Sequence, residues 1–456
     1  MIDWIPDLPR SGKPLYLDIA DAIGADIRAG RLKSGDRLPP QRRLAKRLSI
    51  DFTTVSRAYA EARTRGLVDS HVGRGTFVEA AQAIDHQPDA TREEAEDLTM
   101  NMPPEPVDPV LIGKMRDGLG YVGANLLPLL RYQSSTGSEK DKVAASSWLS
   151  MRGMVPKLER IAVTPGAHPT ITAILSILAK SGDTILCEAI TYPGLRAIAR
   201  LLNLELVGLQ TDRDGILPEA LEAAIRRHGP KALYVNPTLQ NPTTATMPTE
   251  RRLAVAEILT RHGLPAIEDD AYGFIPLKAP APLAVSAPDL IWHIGGLAKC
   301  IGAGLRLAYT VAPTGKDALQ LAQALKAISG MASPISVALA TQWIEDGTAD
   351  GIRRFIRAES EARQKIAAQA LDGFDYDTNQ YAFNIWLRLP KGFGRADLMG
   401  RMAGRHVGIM PSDAFTVSGT PEETVRVGLG GQITRDRLQT ELMMMANALH
   451  SPAWGG

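Results

Sequence analysis

A chain of 456 residues has room for roughly two or three domains, and its apolar fraction of 45% is ordinary for a globular protein. A net charge of +1 excludes no class of partner, but the two cysteines, Cys187 and Cys300, exclude a disulfide scaffold and fit a reducing cytoplasm. The first residues lack a basic start followed by an apolar run, and no apolar stretch reaches about 18 residues without a charge. We therefore predict neither a secretory signal nor a membrane span, and no residue pattern predicts a metal site.

The first 79 residues have the pattern of a small DNA-binding unit. A helix over residues 14–30 places apolar side chains at 15, 19, 20, 23 and 27 on one face and ends at Gly30. A second helix is predicted at about 40–48 and a third at about 52–65, with an apolar side made of Val55, Ala58, Tyr59 and Ala62. Two short strands, LVDSH and GTFVE, follow and are joined at Val72-Gly73-Arg74. Three helices and a β-hairpin in this order are the plan of a winged helix-turn-helix.

Three motifs in this unit, SGDRLPPQRRLAKRL, TTVSRAYAEARTRGLV and GRGTFV, resemble the GntR-type DNA-binding domain over about residues 12–79. Residues 34–75 hold nine Lys or Arg and four Asp or Glu, a net charge of +5 that favours attraction to phosphates. The resemblance implies DNA contacts from the helix starts and the wing: Arg42, Thr53, Thr54, Ser56, Arg57, Gly73 and Arg74. Many members carry an arginine where this chain has Phe52, so one contact is lost or moves to Arg57. The alternative is a solvated basic helix pair.

Residues 80–97 read as an acidic linker between two domains. They hold six acidic residues and one arginine, a net charge of −5, with little apolar periodicity. Because this charge is opposite to that of the DNA-binding unit, the linker could rest against that unit when DNA is absent. This is a hypothesis from charge alone, and it fails if removing the acids leaves DNA affinity unchanged.

Residues 98–456 alternate predicted strands and helices, which favours an α/β fold with a mostly parallel sheet. An N-terminal arm is expected at 98–150 and the larger domain at 151–313. A helical stretch at 314–360 then leads to a smaller domain. There the sequences FNIWLRLP (383–390) and TVRVGLG (424–430) predict strands, and residues 432–450 predict a last helix.

One lysine in this region, Lys299, stands in a run of small apolar residues, HIGGLAKCIGAGLRLAY (293–309), seven residues before Arg306. Desolvation disfavours a charged amine, so its pKa should fall and its amine should become a better nucleophile towards a carbonyl. A lysine that forms a Schiff base needs that property. The alternative is a lysine at the end of a strand whose stem is buried and whose charge reaches water.

Four further segments occur in order around this lysine: VTPGAHPTITAILSIL (163–178), GDTILCEAITYPG (182–194), KALYVNPTLQNPTT (231–244) and PAIEDDAYGF (265–274). The first reads as a turn that opens an apolar helix and offers free backbone N–H groups to an anion. The second reads as a strand that ends at Tyr192. Together the five segments resemble the class I aminotransferase family, with its type I fold of pyridoxal-phosphate enzymes, over about residues 98–450.

The resemblance implies roles at the cofactor ring. Lys299 matches the lysine that binds the cofactor covalently, and Asp269 matches the carboxylate that keeps the pyridinium nitrogen protonated. Asn241 and Tyr272 match the groups that hydrogen-bond the phenolic oxygen, and Tyr192 matches the aromatic residue that stacks on the ring. The alternatives are a core aromatic for Tyr192 and a turn residue for Asn241.

It also implies roles at the two charged ends of the bound molecules. Arg306 matches the arginine that pairs with the phosphate, and Ala167 and His168 match the turn whose backbone amides cap it. Tyr132 lies where the family has a tyrosine that reaches the phosphate from the partner subunit. Arg426 matches the arginine that binds a substrate carboxylate, although it could instead be a strand-edge charge.

The sequence departs from the family beside the lysine. The family usually carries a hydroxyl residue three positions before it and often another one position before it. Here these positions are Gly296 and Ala298. The phosphate must then rely on Arg306, the 166–168 turn and Tyr132, which puts the affinity for the cofactor in doubt.

A GntR-type unit joined to an aminotransferase-like domain resembles the MocR family of bacterial transcription regulators. This resemblance implies a homodimer that binds operator DNA and senses a small amine, an amino acid or pyridoxal phosphate itself at Lys299. One alternative is a working aminotransferase with an accessory DNA-binding domain. Another is a regulator that has lost the cofactor and uses the domain only to dimerise.

Overall fold

The computed structural model describes residues 4–8, 14–64, 67–71, 75–78 and 99–450. The chain divides into two compact units, Met1–Ala95 and Glu96–Gly456. The predicted linker at 80–97 and the wing turn with Gly73 and Arg74 lie outside the described residues. The domain boundaries inferred from the sequence therefore stay predictions.

The first unit is a winged helix-turn-helix, as predicted. Its elements are α1 (Leu15–Arg28), α2 (Gln41–Leu48), α3 (Phe52–Thr64), β1 (Val68–His71) and β2 (Gly75–Val78). β1 and β2 pair antiparallel. The apolar faces read from the sequence form its core, and Ile19, Leu44 and Val55 have no exposed surface. Each such side chain contributes about 1.5–3 kcal/mol of hydrophobic stabilisation.

The larger domain of the second unit is built on one sheet. Seven strands of the described chain form it: β3 (Ile161–Thr164), β4 (Thr184–Glu188), β5 (Glu205–Leu209), β8 (Ala232–Val235), β9 (Ala266–Asp269), β10 (Ile291–Gly296) and β11 (Ala308–Val311). Their order is β3-β11-β10-β9-β8-β4-β5. The pairs from β10 through β5 are parallel, while β11 runs antiparallel to both of its neighbours. The mostly parallel sheet predicted from the sequence is confirmed.

Helices cover both faces of this sheet, and its central strands β8, β9 and β10 are therefore buried at every position rather than at alternate ones. The helices of this part are α4 (Pro109–Ala124), α5 (Leu126–Leu129), α6 (Glu139–Ser150), α7 (Ala167–Leu178), α8 (Pro193–Leu202), α9 (Pro218–His228), α10 (Thr249–His262), α11 (Leu283–Ser286), α12 (Gly315–Ile328) and α13 (Pro334–Glu345). A short hairpin, β6 (Thr211–Asp212) with β7 (Gly215–Ile216), follows β5.

The smaller domain has an antiparallel sheet in the order β12-β13-β15-β14. Its elements are α14 (Thr348–Ala370), β12 (Tyr376–Asp377), β13 (Asn384–Arg388), α15 (Arg395–Arg401), β14 (Ile409–Pro411), β15 (Thr424–Gly428) and α16 (Arg435–His450). The two strands and the last helix predicted from the sequence are present, each shorter by a few residues. A third hydrophobic core, distinct from those around the large sheet, holds this domain together.

One strand prediction was wrong in its end point. β4 ends at Glu188, and Tyr192 is instead the residue that precedes α8. Pro193 explains the difference, because a proline is well placed at the first position of a helix and cannot donate to a strand ladder.

No helix within the described residues is long and apolar enough to cross a membrane.

Candidate cofactor site and DNA-binding surface

The candidate site lies where parallel strands of the large sheet end. Asp269 is the last residue of β9, and Tyr192, Asn241 and Lys299 follow β4, β8 and β10 respectively. Because the carboxyl ends of parallel strands meet at one edge of a sheet, residues far apart in the chain come together there. The structure brings these four side chains to the same edge.

Lys299 sits in the turn directly after β10. Its side chain keeps partial exposure, but its amine is shielded from water and donates to the backbone oxygen of Asn101 at 2.5 Å. Burial, and then the nearby Arg426 guanidinium, lower the pKa of Lys299 to about 8. The lowered pKa predicted from the sequence is thus found, and it leaves a useful fraction of the amine unprotonated near neutral pH.

Asp269 is buried, and only one of its two carboxylate oxygens accepts a hydrogen bond from the described residues. Its Oδ2 accepts from the Tyr234 hydroxyl at 2.8 Å, whereas Oδ1 meets no hydrogen bond of normal geometry among the described residues. Burial raises the pKa of Asp269 to about 6. A buried oxygen without a donor is rare, and a protonated ring nitrogen is a donor of the kind it lacks. This arrangement fits the pyridinium of pyridoxal phosphate.

Asn241 is held so that one end of its amide stays available. Its Oδ1 accepts from Arg426 Nη1 at 3.1 Å, and its backbone N–H donates to Asn236 Oδ1 at 2.9 Å. No described residue accepts a hydrogen bond from its Nδ2, so this group can donate to a ring oxygen. Tyr272, buried nearby, accepts at its hydroxyl from Asn101 Nδ2 at 3.1 Å, and burial raises its pKa to about 12.

The opposite end of the site is a place for an anion. α7 begins at Ala167 with no side chain capping its first N–H groups, and Gly166 precedes it with a φ of 103°. Arg306 has its backbone next to Gly166, and its exposed guanidinium makes no ion pair with any described residue. Uncapped helix amides beside an arginine form a phosphate site.

Gly296, one of the two positions that lack a hydroxyl, has room for a side chain. A Cβ added at Gly296 would lie 3.7 Å from Ala271 Cα and 3.9 Å from Ala167 Cβ, which is ordinary contact. The space that a serine would occupy in the family is therefore present beside the start of α7. The residues present fit pyridoxal phosphate, with fewer donors for its phosphate.

Tyr192 and His168 lie side by side at the phosphate end. The Tyr192 hydroxyl is 3.5 Å from His168 Nδ1, and the two rings meet edge to face with centroids 6.4 Å apart. Gly194 makes room for the tyrosine ring, since a Cβ there would lie 2.2 Å from Tyr192 Cε1. Burial, and then Arg306, lower the pKa of His168, which disfavours its protonated form.

Tyr132 is the predicted site residue that the structure does not bring into the site of its own chain. It is 97% exposed. That position is compatible with a residue that serves a partner subunit, and it gives no contact within one chain.

Two sets of residues in or beside the site were missed from the sequence. Asn101 supplies the backbone oxygen that binds Lys299 and the amide that binds Tyr272. Asp270 forms a buried double hydrogen bond with Arg152 and a 3.1 Å contact with His293. Although burial opposes it, the Arg152 guanidinium holds the pKa of Asp270 well below its usual range. The two adjacent acids of the D-D-A-Y sequence were a signal that one of them is structural.

The predicted DNA-binding residues that the structure describes lie at the surface of the first unit. Arg42, Thr53 and Arg57 are exposed, while Thr54 and Ser56 are half-buried. Asp51 caps α3, since its Oδ1 accepts from the Thr53 backbone N–H at 2.7 Å and also from the Thr53 hydroxyl. Arg57 packs over the ring of Tyr16 with its Cζ 4.2 Å from the centroid. Because Tyr16 belongs to α1, this contact places the Arg57 side chain against that helix.

Comparison with known families matches both units. Residues 15–78 match the model of bacterial regulatory proteins of the gntR family. Residues 125–440 match the model of aminotransferase class I and II.

Individual relatives share both parts. The chain is 29% identical to the HTH-type transcriptional regulator YdeF of Bacillus subtilis, over 98% of this chain and 97% of that protein. It is 24% identical to the "Probable rhizopine catabolism regulatory protein MocR" of Rhizobium meliloti, over 92% and 90%. The fold of the second unit is similar to that of LysN, an α-aminoadipate aminotransferase of Thermus thermophilus solved with N-(5'-phosphopyridoxyl)-L-leucine. The TM-score is 0.68 at 22% identity, covering 77% of this chain and 91% of LysN.

Fold, site and relatives together define a class: a winged helix-turn-helix of the GntR type followed by a type I pyridoxal-phosphate fold, as in the MocR-type regulators. The chain belongs to the aminotransferase class I and II family, with a GntR-family domain at its N-terminal side.

Proposed function

We propose that this protein is a cytoplasmic, DNA-binding transcription regulator that binds pyridoxal phosphate at Lys299 and senses a small amine, an amino acid or the cofactor itself. The observation that carries the proposal is one chain with two parts: an exposed basic helix-turn-helix surface, and a site whose lysine, buried carboxylate and uncapped helix fit the cofactor. YdeF, named as an HTH-type transcriptional regulator, and MocR, named as a probable regulatory protein, align with this chain over 97% and 90% of their own lengths.

Each residue of the site has a task in this proposal. When bound, pyridoxal phosphate supplies a carbonyl that amines attack and a ring that withdraws electrons. Lys299 provides the amine, and Asp269 Oδ1 accepts from the ring nitrogen. Asn241 Nδ2 and the Tyr272 hydroxyl hold the phenolic oxygen, and Tyr192 covers the ring.

In this proposal, different residues hold the phosphate of the cofactor and the carboxylate of the effector. Arg306 and the amides of Ala167 and His168 hold the phosphate. Arg426 on β15 binds the carboxylate of an amino-acid effector. Because Arg426 belongs to the smaller domain and Lys299 to the larger one, an effector bridges the two, and its differential affinity for two domain arrangements would shift DNA binding.

We also propose that the regulator is a homodimer whose sites are shared between subunits. The arm carries many exposed large side chains: Val107, Val110, Leu119, Tyr121, Leu126, Leu127, Leu130 and Tyr132. Exposed apolar surface of this extent favours an interface. Tyr132 would then reach the phosphate of the partner's cofactor, and two helix-turn-helix units would meet two half-sites.

The test of the sensor is the visible absorption spectrum of purified protein with and without pyridoxal phosphate, beside Lys299→Ala. We expect an absorption band that depends on the lysine and that changes with a bound amine. No band in either condition would refute cofactor sensing and favour a regulator that uses the domain only to dimerise.

A working aminotransferase is the second candidate, because Lys299, Asp269 and Arg426 are all present at one site. Turnover with an amino donor and a keto acid distinguishes the two functions. Sustained turnover, with operator binding unaffected by amines, would favour the enzyme over the sensor.

A further inference from the structure

The segment that begins the described part of the second unit, residues 99–104, lies inside the candidate site. Lys299 Nζ donates to Asn101 O at 2.5 Å, and Arg426 Nη2 donates to Thr99 O. The proposed function assigns these two side chains to the cofactor and to an effector carboxylate. Resting on that function, we propose that residues 99–101 are an internal ligand of the effector site and that an effector carboxylate must displace Thr99 from Arg426.

The chemistry of the Thr99 contact indicates which effectors can displace it. Thr99 O is a neutral carbonyl oxygen that accepts from Arg426 Nη2, and Nη1 of the same guanidinium donates to Asn241 Oδ1. A carboxylate forms a charge-assisted bond with the same guanidinium that is roughly twice as strong as a bond to a neutral oxygen. Amino acids can therefore compete with Thr99, and amines without a carboxylate cannot. The contact selects for an acid group in the effector.

Asn101 anchors the segment without saturating its own hydrogen bonds. Its side chain is 4% exposed and donates from Nδ2 to the Tyr272 hydroxyl at 3.1 Å and to Asn384 Oδ1 at 3.0 Å. Its Oδ1 is buried and accepts nothing from the described residues. A buried acceptor without a donor is unfavourable, so this position of the segment is less stable than one in which every hydrogen bond is made.

The smaller domain also contacts residues 99–104. Gly431 N donates to Pro103 O at 3.2 Å, and a Cβ added at Gly430 would lie 1.7 Å from Met102 O. The segment thus passes between Lys299 of the larger domain and Arg426 of the smaller one. Displacing Thr99 would move the end of the described chain that is joined, through residue 98, to the predicted linker.

A pair of probes separates this proposal from simple binding. N-(5'-phosphopyridoxyl)-L-leucine carries a carboxylate, and N-(5'-phosphopyridoxyl)-3-methylbutylamine is its decarboxylated counterpart. Each is added to the full chain, and amide hydrogen exchange is followed at Met102 and Gly431, whose N–H groups donate to Met100 O and Pro103 O. We expect the carboxylated probe to speed exchange roughly tenfold and the decarboxylated probe to leave it unchanged.

The outcomes distinguish two failures. If both probes bind and exchange is unchanged or slower with the carboxylated one, the internal ligand is refuted while cofactor sensing stands. If neither probe binds, the proposed function fails and this inference fails with it.

Variants test the segment without relying on one substitution. Gly430→Ala should push Met102 aside, and Asn101→Ala should remove both anchoring bonds. Each is expected to bind the carboxylated probe roughly 3- to 10-fold more tightly, the factor that corresponds to about one lost hydrogen bond. Gly428→Ala, two residues before Gly430 at the end of β15, is the matched control, since its Cβ would lie 3.5 Å from the nearest atom, Gly408 O. Unchanged or weaker binding in both variants overturns the proposal.

Discussion

At the scale of single residues, the weak point of the site is its phosphate end. The buried carboxylate of Asp269 and the lowered pKa of Lys299 suit the ring and the covalent bond. Gly296 and Ala298, in contrast, supply no hydroxyl where the family usually has one. There is room for a Cβ at Gly296, so what this position lacks is a hydrogen-bond donor rather than space for one. We infer that cofactor affinity is limited by the phosphate.

Restoring one donor should therefore strengthen cofactor binding. Gly296→Ser adds a hydroxyl beside Ala167 at the start of α7, and we expect roughly tenfold tighter binding of pyridoxal phosphate, since a charge-assisted bond to a phosphate is worth about 1.5–3 kcal/mol before side-chain ordering is subtracted. Absorbance titration measures the change. Gly296→Ala is the control for the added carbon alone, and equal affinities for the serine and alanine variants would refute the explanation.

The pKa of Lys299 predicts a pH dependence of cofactor uptake. An amine attacks a carbonyl only when it is unprotonated, so the rate of uptake should rise with pH and reach half its maximum near pH 8, where the lowered pKa lies. As the pH falls through about 8 the amine gains a proton and uptake slows. Stopped-flow absorbance from pH 6 to 10, chosen to span that value by roughly two units on each side, measures it. A rate that still rises steeply at pH 10, as the ordinary lysine pKa of 10.5 requires, would contradict the burial of this amine.

At the scale of elements, α2 and the start of α3 form the expected DNA-binding surface. Leu44 fixes α2 on the core, and Arg42 on the exposed side lies with its Cζ 5.9 Å from the ring centre of Phe52. This contact places the arginine beside the position where many GntR-type domains carry an arginine of their own. Arg42 is therefore the charge at the start of α2 best placed to meet a phosphate.

Replacing Arg42 should weaken DNA binding and also reduce the dependence of binding on salt concentration. Arg42→Ala removes one phosphate contact, so affinity should fall for all sequences alike and the slope of log K against log salt should decrease by about 1. Fluorescence anisotropy at several salt concentrations measures the slope. Lys180→Ala, an exposed lysine of the second unit, is the control. An unchanged slope would place Arg42 away from DNA.

The order of the helices and strands could be predicted from the sequence. The contacts between residues far apart in the chain could not. Sequence patterns predicted the strands at 383–390 and 424–430 and the helix at 432–450 to within a few residues, because local sequence determines where such an element stops. The roles of Asn101 and of the Arg152–Asp270 pair were missed, because a polar contact across more than 100 residues leaves no local pattern. The strand end at Tyr192 was misplaced although Pro193 marked the start of a helix.

At the scale of the whole molecule, the arm determines the expected assembly. We expect a dimer in sedimentation, with the exposed apolar arm buried between subunits. Leu127→Asp with Leu130→Asp should shift the protein to a monomer, because desolvating two carboxylates in an interface is strongly unfavourable. Cofactor affinity should fall with it if Tyr132 serves the partner's site.

The control for the dimer is a substitution outside the arm, at a leucine with a similar exposed fraction. Leu201 on α8 is 75% exposed and Leu127 is 73% exposed. Leu201→Asp should leave both the dimer and cofactor affinity unchanged. A doubly substituted arm that still sediments as a dimer would assign the interface to another surface.

The bond from Arg426 to Thr99 joins residues 327 positions apart, and this has a consequence during synthesis. Domains generally fold as units in the order in which the ribosome releases them, at about 5–20 residues per second. The DNA-binding unit is thus released on the order of tens of seconds before the strand that completes the effector site. Under the proposed function, a nascent or prematurely terminated chain would carry the DNA-binding unit without the effector site. Ribosome stalling between the two would then yield a DNA-binding fragment that cannot respond to an effector.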